Sequence, residues 1–147
     1  MIYLLQKHLS QIAEHGERDY PHECGGLLIG RFDSENGKTV DELLPMKNSS
    51  PVETRHNRVL ILPQDLLRAE KYARSRGLDV VGYYHSHPDD RAVPSQFDLE
   101  HALPVWSYII VSIRAGKVAE LRSWELQANR ARFNEEEIFQ KEFVSED

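Results

Sequence analysis

The sequence predicts an α/β fold in which a mixed, largely antiparallel and curved sheet is flanked by helices. Short apolar segments typical of strands alternate with amphipathic segments typical of helices, and several strand pairs are joined by hairpin turns. Hairpins join antiparallel neighbours, whereas helical crossovers join parallel ones, so both kinds of pairing are expected. The length of 147 residues fits a single domain over residues 1–147, with no internal repeat or low-complexity stretch.

The N-terminal part predicts a helix followed by a two-stranded hairpin. One apolar stripe with helical spacing predicts a helix over about residues 2–16, and its members are Leu5, Leu9, Ile12 and Ala13. The apolar run 24–30 lies between turn residues and is typical of a buried strand. Asn36-Gly37 is a strong hairpin-turn signal, so segment 39–44 is expected to return beside that strand.

The middle of the chain predicts a loop, a short strand and a helix that leads into a longer strand. Segment 45–57 is rich in turn residues and is expected to be a loop, and 59–62 is expected to be a short strand. Pro63 suits the first turn of a helix and Gly77 suits its C-terminal cap. A run of strand-forming residues then begins at Asp79.

The C-terminal part predicts one more helix and a second hairpin. Ser95 is a favourable N-cap, and Pro104 ends the helix that Ser95 begins. Segments 105–111 and 118–126 are typical of strands joined by a tight turn. Segment 132–143 is amphipathic and has no assigned secondary structure at this stage.

Composition excludes several classes of function. The net charge of −6 disfavours binding to nucleic acid, and the basic stretch 68–76 is expected to be the solvated face of a helix. No apolar run approaches the ~20 residues of a membrane span, and the N-terminus has no signal-type pattern. Cys24 is the only cysteine, which excludes an intrachain disulfide. We therefore expect a cytoplasmic protein without membrane association.

Two histidines and a carboxylate predict a metal site. His85 and His87 stand at the end of the strand that begins at Asp79, and residues i and i+2 of a strand point to the same face. Imidazole and carboxylate are usual zinc ligands, and a catalytic zinc keeps three protein ligands and one open position. With Asp98 they predict one Zn²⁺ per chain and metal-assisted hydrolysis. Ser95-x-x-Asp98 also fits a capping box, which competes for the same carboxylate.

The order of these residues resembles the signature of the JAMM (MPN+) metallopeptidases. His-Ser-His-Pro at 85–88, seven intervening residues and Ser-Gln-Phe-Asp at 95–98 match that signature. Glu23, just before the apolar run 24–30, is similar to its upstream glutamate. The resemblance covers roughly residues 2–126 and is greatest to the compact bacterial and archaeal branch that includes the CysO-cysteine peptidase. It implies a JAMM/MPN-like, cytidine-deaminase-like architecture.

The resemblance also implies a role for each residue of the signature. His85, His87 and Asp98 would be the zinc ligands. Glu23 would act as general base and then as general acid, and Ser95 would help to stabilise the oxyanion. These roles agree with the chemistry of metal-assisted hydrolysis, which needs a carboxylate that is not a ligand to move protons.

The implied substrate is the C-terminal Gly-Gly tail of a ubiquitin-like sulfur-carrier protein. The bond that follows the tail would be a peptide bond or an isopeptide bond, and the tail would bind as an extended strand. Asn48 lies where the family places a substrate-facing asparagine, although a turn-forming role is equally open. The oligomeric state is open, with a homodimer as one option.

Three alternatives remain open at this stage. His85-x-His87-x-Asp89-Asp90 resembles the His-x-His-x-Asp-His motif of two-metal hydrolases, but Asp90 stands where that motif needs histidine. The chain is also compatible with a non-catalytic module that binds a ubiquitin-like protein. Cys24 could be a nucleophile, although a small buried residue is the favoured interpretation.

Overall fold

The structure of the protein, a computed structural model, describes residues 1–33, 37–55, 61–129 and 131–141. In chain order its elements are β1 (Ile2–Leu5), α1 (Gln6–Asp19), β2 (Gly25–Phe32), β3 (Lys38–Met46), a 3-10 turn (Val52–Thr54), α2 (Pro63–Ser75), β4 (Asp79–Pro88), α3 (Gln96–His101), β5 (Ser107–Arg114), β6 (Lys117–Leu126), β7 (Phe133–Glu136) and β8 (Ile138–Lys141).

One sheet of eight strands connects these elements across the described ranges, in the order β7-β6-β5-β4-β2-β3-β1-β8. Antiparallel pairing joins β2 to β3 and β4, and joins β6 to β5 and β7. Parallel pairing joins β4 to β5, and joins β1 to β3 and β8. The predicted mixed sheet is therefore confirmed.

The chain path requires this sheet to curl. Strands β7 and β8 lie at opposite ends of the strand order, yet Glu137 alone separates them in sequence. In a flat sheet, seven spacings of about 4.8 Å would place these strands roughly 34 Å apart. One residue reaches only about 3.5 Å, so the two ends of the sheet must come together. The predicted curvature is thus confirmed, and the sheet is close to a barrel.

A buried ionic cluster connects the strands where the sheet curls. The ammonium group of Lys38 on β3 lies 2.9 Å from a carboxylate oxygen of Glu125 and 3.4 Å from one of Glu136. Ser123 donates a 2.7 Å hydrogen bond to the other carboxylate oxygen of Glu136. The side chain of Glu136 is fully buried and that of Lys38 is 3% exposed, so each needs opposite charges nearby. Glu136 also lies 3.2 Å from the N-terminal ammonium group, which shares its compensation with Lys38.

Apolar side chains fill both sides of the sheet. Because successive residues of a strand point to opposite faces, Leu28 of β2 packs with Ile12 of α1, whereas Leu27 packs with Ala69 of α2. The glycine Gly16 lets α1 approach β5 closely, since an added Cβ would lie 2.8 Å from a side-chain carbon of Ile113. The sequence therefore supports a helix layer on each face.

The N-terminal helix differs from its prediction at both ends. Residues 2–5 form β1, because Ile2 and Leu4 are buried while their neighbours are half-buried, and the strand pairs with β3 and β8. The helix then continues past Gly16 to Asp19. Tertiary pairing outweighs the helical spacing of the apolar residues here.

Several other local predictions can be compared with the structure. The helices that begin at Pro63 and after Ser95 are confirmed, and Gly77 has the positive φ of +72° expected after a helix end. Segment 132–143 contains β7 and β8, with residues 142–143 outside the described part.

The predicted strand over 59–62 is not supported where it can be compared. Ile61 and Leu62 are outside any strand, and Leu62 is the N-cap of α2, while residues 59–60 lie outside the described part. Asn36 of the predicted hairpin turn also lies outside it, but the predicted pairing of β2 with β3 is confirmed. Among the described residues, the helices are too short and too polar to cross a membrane.

We expect Glu136→Ala to lower the free energy of unfolding by roughly 3 kcal/mol, the lower end of the range for removing one partner of a buried ion pair. The lower end applies because Glu125 still contacts Lys38. Urea unfolding measures the change. Glu135→Ala, at an exposed neighbouring position, is the matched control and should stay within about 0.5 kcal/mol of the wild type. Equal stability of the two variants would contradict a stabilising role for the cluster.

Candidate metal centre

The pairing of β2 with β4 places Glu23 beside the two histidines. His85 is opposite Gly25 in the register of these strands, so the residues just before β2 lie near the end of β4. The backbone N–H of Cys24 donates to the Ser86 hydroxyl at 2.8 Å, and the N–H of Ser86 donates to the Cys24 carbonyl at 3.1 Å. These two bonds fix the position of Glu23 relative to His87.

The predicted ligand side chains converge on one point. The Nε2 atoms of His85 and His87 lie 3.1 Å apart, and each lies 3.2 Å from an oxygen of Asp98. Two nitrogen ligands at about 2.0–2.1 Å from a tetrahedral zinc would be roughly 3.3 Å apart, so the observed spacing fits that ion. Glu23, His85 and His87 also offer ligand atoms within 4.8 Å of one another. The donor set therefore fits a divalent cation that prefers nitrogen and oxygen ligands.

The carboxylate of Asp98 both caps α3 and contacts the two imidazoles, two roles that compete for it in the sequence analysis. The backbone N–H of Ser95 donates to Oδ2 of Asp98 at 2.8 Å, and the Asp98 N–H donates to the Ser95 hydroxyl at 3.1 Å, which is a capping box at the start of α3. The same carboxylate contacts both imidazoles. The Ser95 hydroxyl accepts in this box, so its own hydrogen is free to donate elsewhere.

The Nδ1 atoms of the two imidazoles have different environments. Nδ1 of His87 donates to the carbonyl of Arg91 at 2.8 Å, which directs Nε2 towards Asp98. Nδ1 of His85 is buried and has no hydrogen-bond partner among the described residues, although the ring stacks on Tyr83 with centroids 5.2 Å apart. Only His87 is thus oriented by a hydrogen bond to the main chain.

Burial and charge separate the two carboxyl groups of the site. Burial raises the pKa of Glu23 to about 8, with the charge of His87 opposing the shift and that of Asp98 adding to it. Burial also disfavours ionised Asp98, but the charge and hydrogen bonds of the imidazoles outweigh it and keep the pKa of Asp98 well below its ordinary value. Burial lowers the pKa of His87, but the hydrogen bond and charge of Asp98 outweigh it and raise that pKa. Without a cation, Glu23 is therefore protonated at neutral pH while Asp98 is ionised.

The loop after β3 supports the main chain of Glu23. The Asn48 side chain donates a 3.0 Å hydrogen bond to the Glu23 carbonyl and accepts one of 3.0 Å from the N–H of Ser50. The Glu23 N–H donates to the carbonyl of Arg55 at 2.5 Å. Asn48 therefore has the turn-forming role that was one of its two interpretations, and it also positions Glu23. Contact of Asn48 with a substrate stays a prediction.

An apolar pocket of about 240 Å³ opens beside the histidines, between α2 and α3. It is lined by Glu23, Leu27, Ile61, Leu66, Tyr83, His85, Phe97, Asp98, His101, Leu103, Trp106 and Tyr108. Sequence reasoning did not assign Tyr83, His101 or Trp106 to the site. Strand alternation could have placed Tyr83 with His85, and the helical i, i+3 spacing could have placed His101 with Asp98.

Two alternatives are disfavoured by the contacts of their key residues. Cys24 is fully buried, and burial raises the pKa of its thiol to about 12, which is unsuited to a nucleophile. Asp89 accepts hydrogen bonds from the hydroxyl of Tyr20 and the N–H of Ala115, and Asp90 accepts one from the N–H of Arg91. Asp89 therefore connects its loop to the end of α1 and to the β5–β6 turn, and Asp90 contacts the loop itself, which favours a structural role for both carboxylates.

Comparison with known proteins identifies relatives of the chain. A family profile described as prokaryotic homologs of the JAB domain matches residues 5–127. A probable TtuB-protein conjugate cleaving protease of Thermus thermophilus is 31% identical over 110 residues, which cover 75% of this chain and 69% of that protein. A desampylase of Haloferax volcanii is 36% identical over 105 residues, which cover 71% of this chain and 72% of that enzyme.

A solved structure shares the architecture along almost the whole chain. The solution structure of protein DSY2949 from Desulfitobacterium hafniense superposes with a TM-score of 0.83 at 30% sequence identity. The match covers 98% of this chain and 95% of that one. The order of strands and helices around the candidate metal centre is therefore not peculiar to this sequence.

We expect Cys24 to react with Ellman's reagent at pH 8 at least about 10³-fold more slowly in the native protein than in urea. A thiol with a pKa of about 12 is ionised in only about one molecule in 10⁴ at that pH, and the native fold also prevents access. The release of the coloured thiolate measures the rate. Rapid native labelling would mean that the thiol is accessible and would restore Cys24 as a candidate nucleophile.

Proposed function

The chain belongs to the family of prokaryotic homologs of the JAB domain and is a JAMM-type protease, and we propose that it is zinc-dependent and cleaves the bond after the Gly-Gly tail of a ubiquitin-like protein. The observation that supports this most directly is the convergence of two imidazoles and one carboxylate beside a second, buried carboxylate. That arrangement has both parts of a hydrolytic site, a cation-binding group and a separate proton carrier.

We assign zinc binding to His85, His87 and Asp98. Their donor atoms approach one another as the ligands of one small cation would. A bound zinc ion supplies a Lewis acid and a water of lowered pKa at neutral pH. The fourth side chain, Glu23, remains available for proton transfer because the other three complete a catalytic ligand set.

With the positive charge of a bound cation favouring its ionised form, Glu23 would accept a proton from the attacking water and deliver it to the leaving amine. Glu23 is 6% exposed, it lines the pocket, and its carboxylate lies within 4.8 Å of a ligand nitrogen of each imidazole. The hydrogen bonds of Asn48 and Arg55 to its main chain restrict its position. Positioned acid–base catalysis of this kind contributes about 10²–10⁴-fold to the rate.

Ser95 would donate its free hydroxyl hydrogen to the oxygen of the scissile carbonyl as negative charge develops there. The capping box fixes the hydroxyl at the start of α3, next to Asp98. A donor held before the reaction needs no reorganisation as the charge forms, and the loss of one such donor costs about 3 kcal/mol in other hydrolases.

The substrate proposal follows from the relatives and from the shape of the site. One relative is named for cleaving TtuB-protein conjugates and another is named a desampylase. Glycines suit the narrow space at the buried Glu23, while the adjoining apolar pocket can accept an apolar side chain near the scissile bond. We propose a ubiquitin-like sulfur carrier or its conjugate as the partner, and the reducing cytoplasm, which suits the free thiol of Cys24, as the location.

The direct experiment incubates the zinc-loaded protein with ubiquitin-like proteins of the same genome that carry either an added residue or a lysine isopeptide after Gly-Gly. Intact mass spectrometry should show release of the free tail, and a chelator should abolish it. Cleavage that persists in chelator, or binding without cleavage by zinc-loaded protein, would contradict the proposed function.

We expect Glu23→Gln to reduce hydrolysis at least about 10²-fold while zinc remains bound, because the amide cannot carry the proton. Intact-mass rates and zinc content by atomic emission are measured on the same sample. Glu53→Gln, the same change at an exposed position of the 3-10 turn, is the control and should leave the rate unchanged. Loss of zinc in Glu23→Gln would instead identify Glu23 as a ligand.

Asp98→Asn should weaken zinc binding at least about tenfold, since a neutral amide is a poorer ligand than a carboxylate. The amide oxygen can still accept from the N–H of Ser95, so the capping box is retained, but loss of the charge that contacts both imidazoles should lower the unfolding temperature of zinc-free protein. Competition with a chromophoric chelator measures the dissociation constant. Unchanged zinc affinity would leave Asp98 with the capping role alone.

A further inference from the structure

The loop between β4 and α3 is attached to the sheet at Asp90 and Ala92. The Ser112 hydroxyl of β5 donates to the carbonyl of Asp90. Ala92 is fully buried, and its N–H donates to a carboxylate oxygen of Glu120 at 2.9 Å. Its carbonyl accepts from the indole N–H of Trp124 at 3.0 Å. Glu120 and Trp124 belong to β6, a strand from which no residue lines the candidate metal centre described above.

One peptide group connects this attachment to a predicted zinc ligand. The N–H of Ala92 and the carbonyl of Arg91 belong to the same planar unit, and in a trans peptide they point in opposite directions. Glu120 binds the N–H side, while Nδ1 of His87 donates to the carbonyl side at 2.8 Å. A continuous chain of two hydrogen bonds therefore runs from the Glu120 carboxylate through the Arg91–Ala92 peptide to the imidazole of His87.

The charge of Glu120 affects His87 through this chain of hydrogen bonds. The hydrogen bond to Ala92 lowers the pKa of Glu120, so the carboxylate is charged at neutral pH. A negative charge on the N–H side polarises the peptide and makes its carbonyl a stronger acceptor. A stronger acceptor at Nδ1 fixes the tautomer of His87 and makes Nε2 a better ligand, as carboxylates do when they bind a ligand histidine directly.

We propose that Glu120 is a positioning residue that orients His87 through the Arg91–Ala92 peptide, with Trp124 fixing the other side of Ala92. The inference rests on the proposed function in so far as His87 is a zinc ligand. It also predicts an asymmetry between the two histidines, because Nδ1 of His85 has no partner among the described residues. A change at Glu120 should therefore affect His87 and leave His85 as it is.

The experiment compares zinc affinity and histidine ring signals in the full-length protein. Glu120→Ala should raise the zinc dissociation constant about 10–100-fold, the usual effect of removing a partner of a ligand histidine. Long-range proton–nitrogen spectra of the zinc-loaded protein should show loss of the hydrogen-bonded Nδ1–H of His87, with the His85 signals unchanged. Lys117→Ala, at an exposed position of the same strand, is the control and should match the wild type in both measurements.

Two further variants keep the proposal testable if Glu120→Ala folds poorly. Glu120→Gln retains an acceptor oxygen for the Ala92 N–H but loses the charge that polarises the peptide, so its zinc affinity should lie between those of Glu120→Ala and the wild type. Trp124→Phe keeps an aromatic ring but removes the N–H donor, and should weaken zinc binding by a smaller factor than Glu120→Ala.

The proposal is overturned if folded Glu120→Ala binds zinc within twofold of the wild type, or if the signals of both histidines change equally. A Glu120→Gln variant as weak as Glu120→Ala would show that the retained hydrogen-bond acceptor contributes nothing. It would assign the effect to charge pairing with Arg122, 3.6 Å away, and Arg91, 4.0 Å away, and would also overturn the proposal. Neither measurement uses peptide cleavage. A wild-type protein that binds zinc and shows the His87 hydrogen bond but cleaves no conjugate would therefore contradict the proposed function alone.

Discussion

The antiparallel register between β2 and β4 is the constraint on which the site depends. Reciprocal bonds between Cys24 and Ser86, one of them to the Ser86 hydroxyl, continue the pairing just beyond Gly25, so the main-chain position of Glu23 follows from this register. A shift of one residue would turn alternate side chains to the other face of the sheet. It would remove His85 and His87 from the face that α3 covers and separate them from Glu23.

Two buried carboxyl groups share this site, and their surroundings give them opposite properties. Asp98 accepts a hydrogen bond from the N–H of Ser95, the N-cap of α3, and contacts two imidazoles, so its charged form is stabilised. Glu23 is buried without an equivalent set of donors, so its protonated form is favoured. A pair of acids with separated pKa values suits a division between binding a cation and moving a proton.

The surrounding fold makes these positions rigid. Because β7 and β8 connect through one residue, the sheet closes on itself, and Lys38 and Glu136 stabilise the closure from within. Strand β6 is part of that closed surface and contributes Glu120 and Trp124 to the loop below His87. The orientation of one imidazole is thereby connected to a strand on the far side of β5.

Most of the predictions that the structure confirms depend on patterns of only a few consecutive residues. The i, i+2 spacing places His85 and His87 on one face because strand alternation is a local property, and the capping box at Ser95 depends on four consecutive residues. The fold class followed from the same kind of pattern. Residues 2–5 were misassigned because their strand exists only through pairing with segments far along the chain.

By itself, the sequence determined the types and spacing of the candidate ligands and the mixed character of the sheet, since both arise from neighbouring residues. Only the tertiary structure decided that Glu23 lies beside His87, that β1 pairs with β3 and β8 and that Glu120 supports Ala92. Each of these contacts joins residues far apart in sequence, and their distances depend on strand register and packing, which no local pattern specifies.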